Sequence, residues 1–230
     1  MTTRPWTVNK PGPLTKRADG VWTVDDFVPG RVAIPRRMIV VKRDDGLLFY
    51  NAVPVPDSTL DELRALGTPR HLILPNEFHA LDAHGFVDKL KVTAWASTVA
   101  VTALATRGIT AADISGLPAQ AGHRWFTVEG FRTHEQVLVA HGALIAADLF
   151  TNVPHTPGFV GLLMRLVGFT APQPVLPKPV RKRVGRDLPR VKTLFEELAK
   201  LPEIKQLIPS HGDVFTADCS TALRVIANTL

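Results

Sequence analysis

The chain has 230 residues, 45% hydrophobic and 21% charged, a net charge of +6 and a single cysteine, Cys219. This is the composition of a globular protein with one large core, or at most two small ones. It excludes a disulfide framework or cysteine-rich zinc site and, with no apolar run of about 18 residues, a membrane-spanning helix. No apolar stretch follows the first charges, so no signal peptide is expected, and the cysteine usage points to a reducing, cytoplasmic setting. Residues 1–20, rich in Pro, Lys and Thr, read as an arm without a core, and 21–230 as a single domain.

From Val21 the pattern is β-branched. VWTVDDF and RRMIVVKRD predict strands, and Asp45-Gly46 before LLFYNAV predicts a hairpin turn. STLDELRALG predicts a helix capped by Ser58, with Asp61 three residues on and closure at Gly67. HLILP, 71–75, is a buried strand. Asn76 is a good cap, so a helix is expected from there, with Phe78, Leu81 and Phe86 on its apolar face. VTAWAS is a short strand or the approach to one, and 98–107 an alanine-rich helix or buried connection. RWFTVEGF and EQVLVAHGALIAADLF give two or three strands, with a turn at His141-Gly142 and an acid, Asp148, at the end. Residues 159–169 predict a helix, the four prolines of 171–180 exclude a regular one, and a helix runs from Asp187 or Pro189 to Leu201. A final strand in KQLIPSHGDVF and a closing helix in TALRVIANTL complete an α/β chain.

Three positions lie just beyond strands, where loops gather into sites. They are Asn76 with His79 after HLILP, Asp148 after ALIAA, and His211 after LIPS. Imidazole and carboxylate from three distant strand ends form a plausible metal set, with zinc or iron suited to it. The competing reading is that these histidines only satisfy local hydrogen bonds. His79-x-x-Asp82-x-His84 adds His84 as a candidate ligand-binding residue, provided a loop and not a helix carries it. His141 reads as a turn residue, and His71 and His123 have no pattern around them.

The order of these pieces resembles the metallo-β-lactamase superfamily, the metallo-hydrolase/oxidoreductase fold. GLLFYNAV, DELRALG, HLILPNEFH, LIAADLF and IPSHGD match its hairpin, helix, motif strand, aspartate strand and last histidine strand, over roughly 32–216. The resemblance implies a four-layer αββα sandwich of two mixed β-sheets flanked by helices. It also implies that Asp148 and His211 match the family's bridging aspartate and terminal histidine. The family's HxHxDH motif is changed: Asn76 and Phe78 take the histidine positions, and Ala80 and Leu81 replace Asp-His, as in a divergent branch with Pro-Asn-x-x-His. His134 is the candidate for the middle histidine, although His-Thr-Pro-Gly occurs instead at 155–158, after Asp148, and is set aside as coincidence.

Two functions follow from the resemblance. One is a mononuclear metal-dependent hydrolase whose ligands are His79, Asp148 and His211 with His134 as a fourth, holding one zinc or iron ion and acting on a small-molecule substrate. Asp148 and Asp213 are the catalytic candidates, Asp213, where no metal enters, as general base or as partner of His211. The other is a metal-free, non-catalytic descendant that binds a small molecule or protein partner, with Asn76 contacting the ligand. The basic stretch 178–192 lacks interleaved aromatics, so nucleic acid ranks third.

Overall fold

In the computed structural model, which describes residues 4–30, 34–155, 158–166 and 168–230, the chain divides into two units, Met1–His123 and Arg124–Leu230. The first holds a seven-stranded sheet in sequence order: β1 (Thr15–Ala18), β2 (Val21–Phe27), β3 (Pro35–Arg43), β4 (Gly46–Tyr50), β5 (Pro69–Ile73), β6 (Thr93–Ala96) and β7 (Ala112–Asp113). β1 to β4 pair antiparallel, and β4 to β7 pair parallel. The parallel pairs are joined by α1 (Asp57–Leu66), α2 (Ala83–Leu90) and α3 (Thr98–Ala105), as parallel strands require. β3 and β4 are buried on both faces. Met38, Val40 and Phe49 enter the core with Leu60, Leu72 and Phe86, and Ile39, Val41 and Tyr50 are buried with opposite alternation. That is why these strands read as continuous apolar runs.

The second unit has a four-stranded sheet in the order β11-β10-β9-β8: β8 (Arg124–Thr127), β9 (Gln136–Ala140), β10 (Ala143–Ala146) and β11 (Gln206–Pro209). Only the β10–β11 pair is parallel. α4 (Gly158–Leu166), α5 (Lys178–Val184), α6 (Leu188–Leu198) and α7 (Cys219–Asn228) complete it. Val191, Phe195 and Leu198 of α6 are buried, as are Leu223 and Ile226 of α7. The α/β class with two mixed sheets is as expected, with seven α-helices among the described residues.

Local expectations fare unevenly. His141 and Gly142 sit at φ 50° and 76° between the registered pair Ala140 and Ala143, a two-residue hairpin turn of the expected kind. The first hairpin is shifted by one residue: Arg43 pairs with Gly46, so the turn is Asp44-Asp45. α1 starts at Asp57 with Pro56, not Ser58, at its cap position. α5 begins inside the proline-rich segment, because Pro179 falls in the first helical turn, where no backbone N–H is missed. No helix starts at Asn76. Its Oδ1 accepts from Phe78 N at 2.9 Å and its carbonyl from His79 N at 3.2 Å, a side-chain-closed turn that outcompetes helix. The helix begins only at Ala83.

Part of the expected arm is tied down. β1 adds to the sheet edge, and Trp6 packs on Phe86 with ring centroids 5.4 Å apart. Gly85 allows this: any Cβ there would overlap the backbone of Pro5 and Trp6. Thr156 and Pro157 of the His-Thr-Pro-Gly tetrapeptide lie outside the described residues.

Candidate metal site

β10 and β11 run parallel, with Ala146 opposite Pro209. Asp148 and His211 each lie two residues beyond that pair, so equal offsets from one register point bring them to the same end of the sheet. His211 Nε2 stands 3.8 Å from Asp148 Oδ1, and their side chains are 14% and 15% exposed. An imidazole and a carboxylate at this range, largely out of water, are donor types that suit a shared metal ion, and form an ion pair when the imidazole is protonated.

The backbone around the pair is over-determined. Glu135, fully buried just before β9, accepts from Ala147 N at 2.8 Å, Asp148 N at 2.9 Å and Leu149 N at 3.2 Å. One carboxylate thus closes the loop that carries Asp148. On the other side, Ser210 N donates to Ala146 O at 2.9 Å, Asn152 N to His211 O at 3.1 Å, and Asp213 N to Asn152 O at 2.7 Å. Gly212, at φ 93°, lies so close to Asn152 that a Cβ would overlap its carbonyl. Beyond the loop, Thr151 and Val175 exchange two backbone hydrogen bonds of 2.9 Å, and Ala171 N donates to Val153 O at 3.1 Å. Thr151 with Val175 and Val153 with Ala171 thus form a narrow neck at the base of the segment that carries α4.

In the first unit, β5 continues into the Asn76 turn. Asn76 is fully buried, and His79 is partly exposed two residues beyond the turn's Glu77, whose carbonyl accepts from Arg107. His84 is turned elsewhere: it is exposed on α2, 3.1 Å from Asp88. Asp82 is held by Arg36, which also grips Asp26 at 2.7 Å, inside a buried ion network. His134 sits at φ 46° and lines a groove with Glu129, Arg186 and Asp187. Asp213 is exposed. The structure thus brings Asp148 and His211 together within the second unit, and places His84 and Asp82 in other pairings.

Sequence reasoning missed Glu135 and Gly212. Glu135 had a signal: an acid directly before the apolar run QVLVA, overlooked for the histidine beside it. Gly212 had none beyond its position after His211, since its need comes from the approach of Asn152.

The fold is that of solved metallo-β-lactamases. The chain superposes over its whole length on 97% of the mono-zinc form of the metallo-β-lactamase FIM-1 from Pseudomonas aeruginosa, with a TM-score of 0.62 and 14% identity. It covers 94% of itself and 99% of a metallo-β-lactamase from Pontibacter korlensis, with a TM-score of 0.63 and 14% identity. Against DIM-1 metallo-β-lactamase exposed to ceftazidime the figures are 96%, 99%, 0.61 and 11%. No family model matches the sequence, and no curated protein matches it. At these identities the likeness is one of fold.

Proposed function

We propose that the chain is a mononuclear metal-dependent hydrolase in which His79, Asp148 and His211 hold one zinc or iron ion. The observation that carries this reading is the Asp148–His211 pair at matched strand ends. The donor set fits, since each of the three side chains offers one imidazole nitrogen or carboxylate oxygen. A solved neighbour of the same fold is a mono-zinc form. His134, beside Arg186 and Asp187, is left out of the set.

Held by His79, Asp148 and His211, a divalent ion would supply Lewis acidity toward the carbonyl or phosphoryl group of an ester, amide or phosphoester. The protein's own residues do the rest. Glu135 accepts from the backbone amides of Ala147, Asp148 and Leu149 and so holds the loop that presents the Asp148 carboxylate. Ser210, through its N–H to Ala146 O, and Asn152, which bonds His211 O and Asp213 N, fix the main chain on either side of His211. Asp213, exposed and anchored through its N–H to Asn152, is the candidate proton acceptor for an attacking water. Asn76 shapes the turn that presents His79.

The alternative of a metal-free binding protein is favoured by Phe78, which stands in a ligand position and cannot ligate. The test is elemental analysis of untagged protein offered zinc, iron and manganese. About one equivalent, lost in Asp148→Ala and His211→Ala, is expected. Less than about a tenth of an equivalent in folded protein would sink the hydrolase in favour of a metal-free pocket.

A further inference from the structure

The protein's excess positive charge is not spread over it. The chain has 27 Lys and Arg against 21 Asp and Glu, and residues 149–186 hold six of the bases and none of the acids. The remainder is balanced, so the whole net charge of +6 belongs to this one stretch. The stretch contains α4 and α5. Among the described residues, Arg165, Lys178, Lys182 and Arg186 form no salt bridge, whereas Arg190, just beyond, is paired with Glu129 and Asp187.

The same stretch exposes apolar surface. Leu162 and Leu166 of α4 are 53% and 71% exposed, the latter the most exposed large hydrophobic side chain among the described residues. They are four apart and share one helix face, with exposed Arg165 next to it. The two features are contiguous. Lys178, the first residue of α5, donates its backbone N–H to Gly168 O at 3.3 Å, and its side chain lies against Gly168, two residues past α4. Lys178 and Lys182 are also four apart, on one face of α5 and both exposed.

We propose that α4 and α5 together form a docking face for an anionic lipid surface, with Leu162 and Leu166 entering the acyl boundary and Arg165, Lys178 and Lys182 meeting the headgroups. An apolar helix face rimmed by unneutralised cations, with no acid in the segment, fits such a surface. At nine residues α4 is too short to cross a bilayer and would lie in its plane. Nucleic acid would use the cations and leave the leucines in water, which makes it the less complete match.

The test is flotation of the full chain with vesicles of phosphatidylcholine alone or mixed with phosphatidylglycerol, at about 0.1 M salt. Binding to the mixed vesicles only is expected. Leu162→Asp with Leu166→Asp should abolish it, and Lys178→Ser with Lys182→Ser should weaken it about twenty-five-fold, roughly fivefold per cation. All four side chains are exposed, so circular dichroism and melting should be unchanged. A leucine variant that melts early is replaced by Leu166→Ser. No binding to mixed vesicles, equal binding to both kinds, or duplex DNA binding that the leucine changes leave intact overturns the proposal. None of these outcomes depends on metal content, so failure here and failure of the hydrolase reading are separate.

Discussion

Glu135 closes the loop that carries Asp148. Three backbone amides of the Asp148 loop point at one buried carboxylate. Glu135→Gln turns one acceptor oxygen into a donor facing an amide. The change should destabilise the protein by about 2–4 kcal/mol, read from urea melts, and reduce whatever metal Asp148 helps to hold. Asp45 gives a pH signature far from the site. Its hydrogen bond to Arg43, helped by one to His71 and opposed by burial, lowers its carboxyl from the ordinary 3.8 to about 2. A depressed carboxyl contributes stability that is present above its unfolded value and lost as pH falls through the folded one. Melting temperature should therefore drop between pH 4 and pH 2, and Asp45→Asn should flatten that part of the curve. The side chain is 40% exposed, so the contribution is under about 1 kcal/mol. The same cluster sets a tautomer. Trp95 Nε1 donates to His71 Nδ1 at 3.1 Å, which leaves Nε2 to donate to Asp45 at 2.9 Å.

At the scale of elements, the site is a matter of strand register. Asp148 and His211 meet because β10 and β11 are parallel and paired Ala146 to Pro209. Gly212 then lets the chain turn against Asn152 directly after the histidine. Gly212→Ala, at φ 93° and with no room for a Cβ, should cost about 2–4 kcal/mol and show as an early thermal transition. Such facts bound what was legible in the sequence. ALIAAD and LIPSH announced strands ending in ligand-type residues, because apolar runs broken by a polar group have a plain meaning. NEFHALD misled, because a capping Asn and a helical spacing are equally the signs of an Asn-closed turn, and only the hydrogen bond to Phe78 N decides between them. His84 and Asp82 looked ligand-like by spacing, yet Asp82 serves Arg36, whose partnership spans 46 residues and leaves no local trace.

Across the whole molecule, the order of segments carried more than any one motif. The hairpin, the helix-to-strand steps and the two late strands followed the metallo-β-lactamase order, and the fold agrees over 94% or more of the chain for the solved neighbours described above. The basic stretch was visible as charge but not as a surface, since periodicity cannot show that Leu162 and Leu166 lack a covering partner. The neck formed by Thr151 and Val175 has one more consequence. Its two ends are fixed whatever lies between them, so lengthening the excursion costs only the entropy of closing a longer loop, about 0.6 kcal/mol per doubling. Residues 154–170 are in that sense an exchangeable cassette: they can diverge in length and surface chemistry while the strands that carry Asp148 and His211 stay under separate constraint.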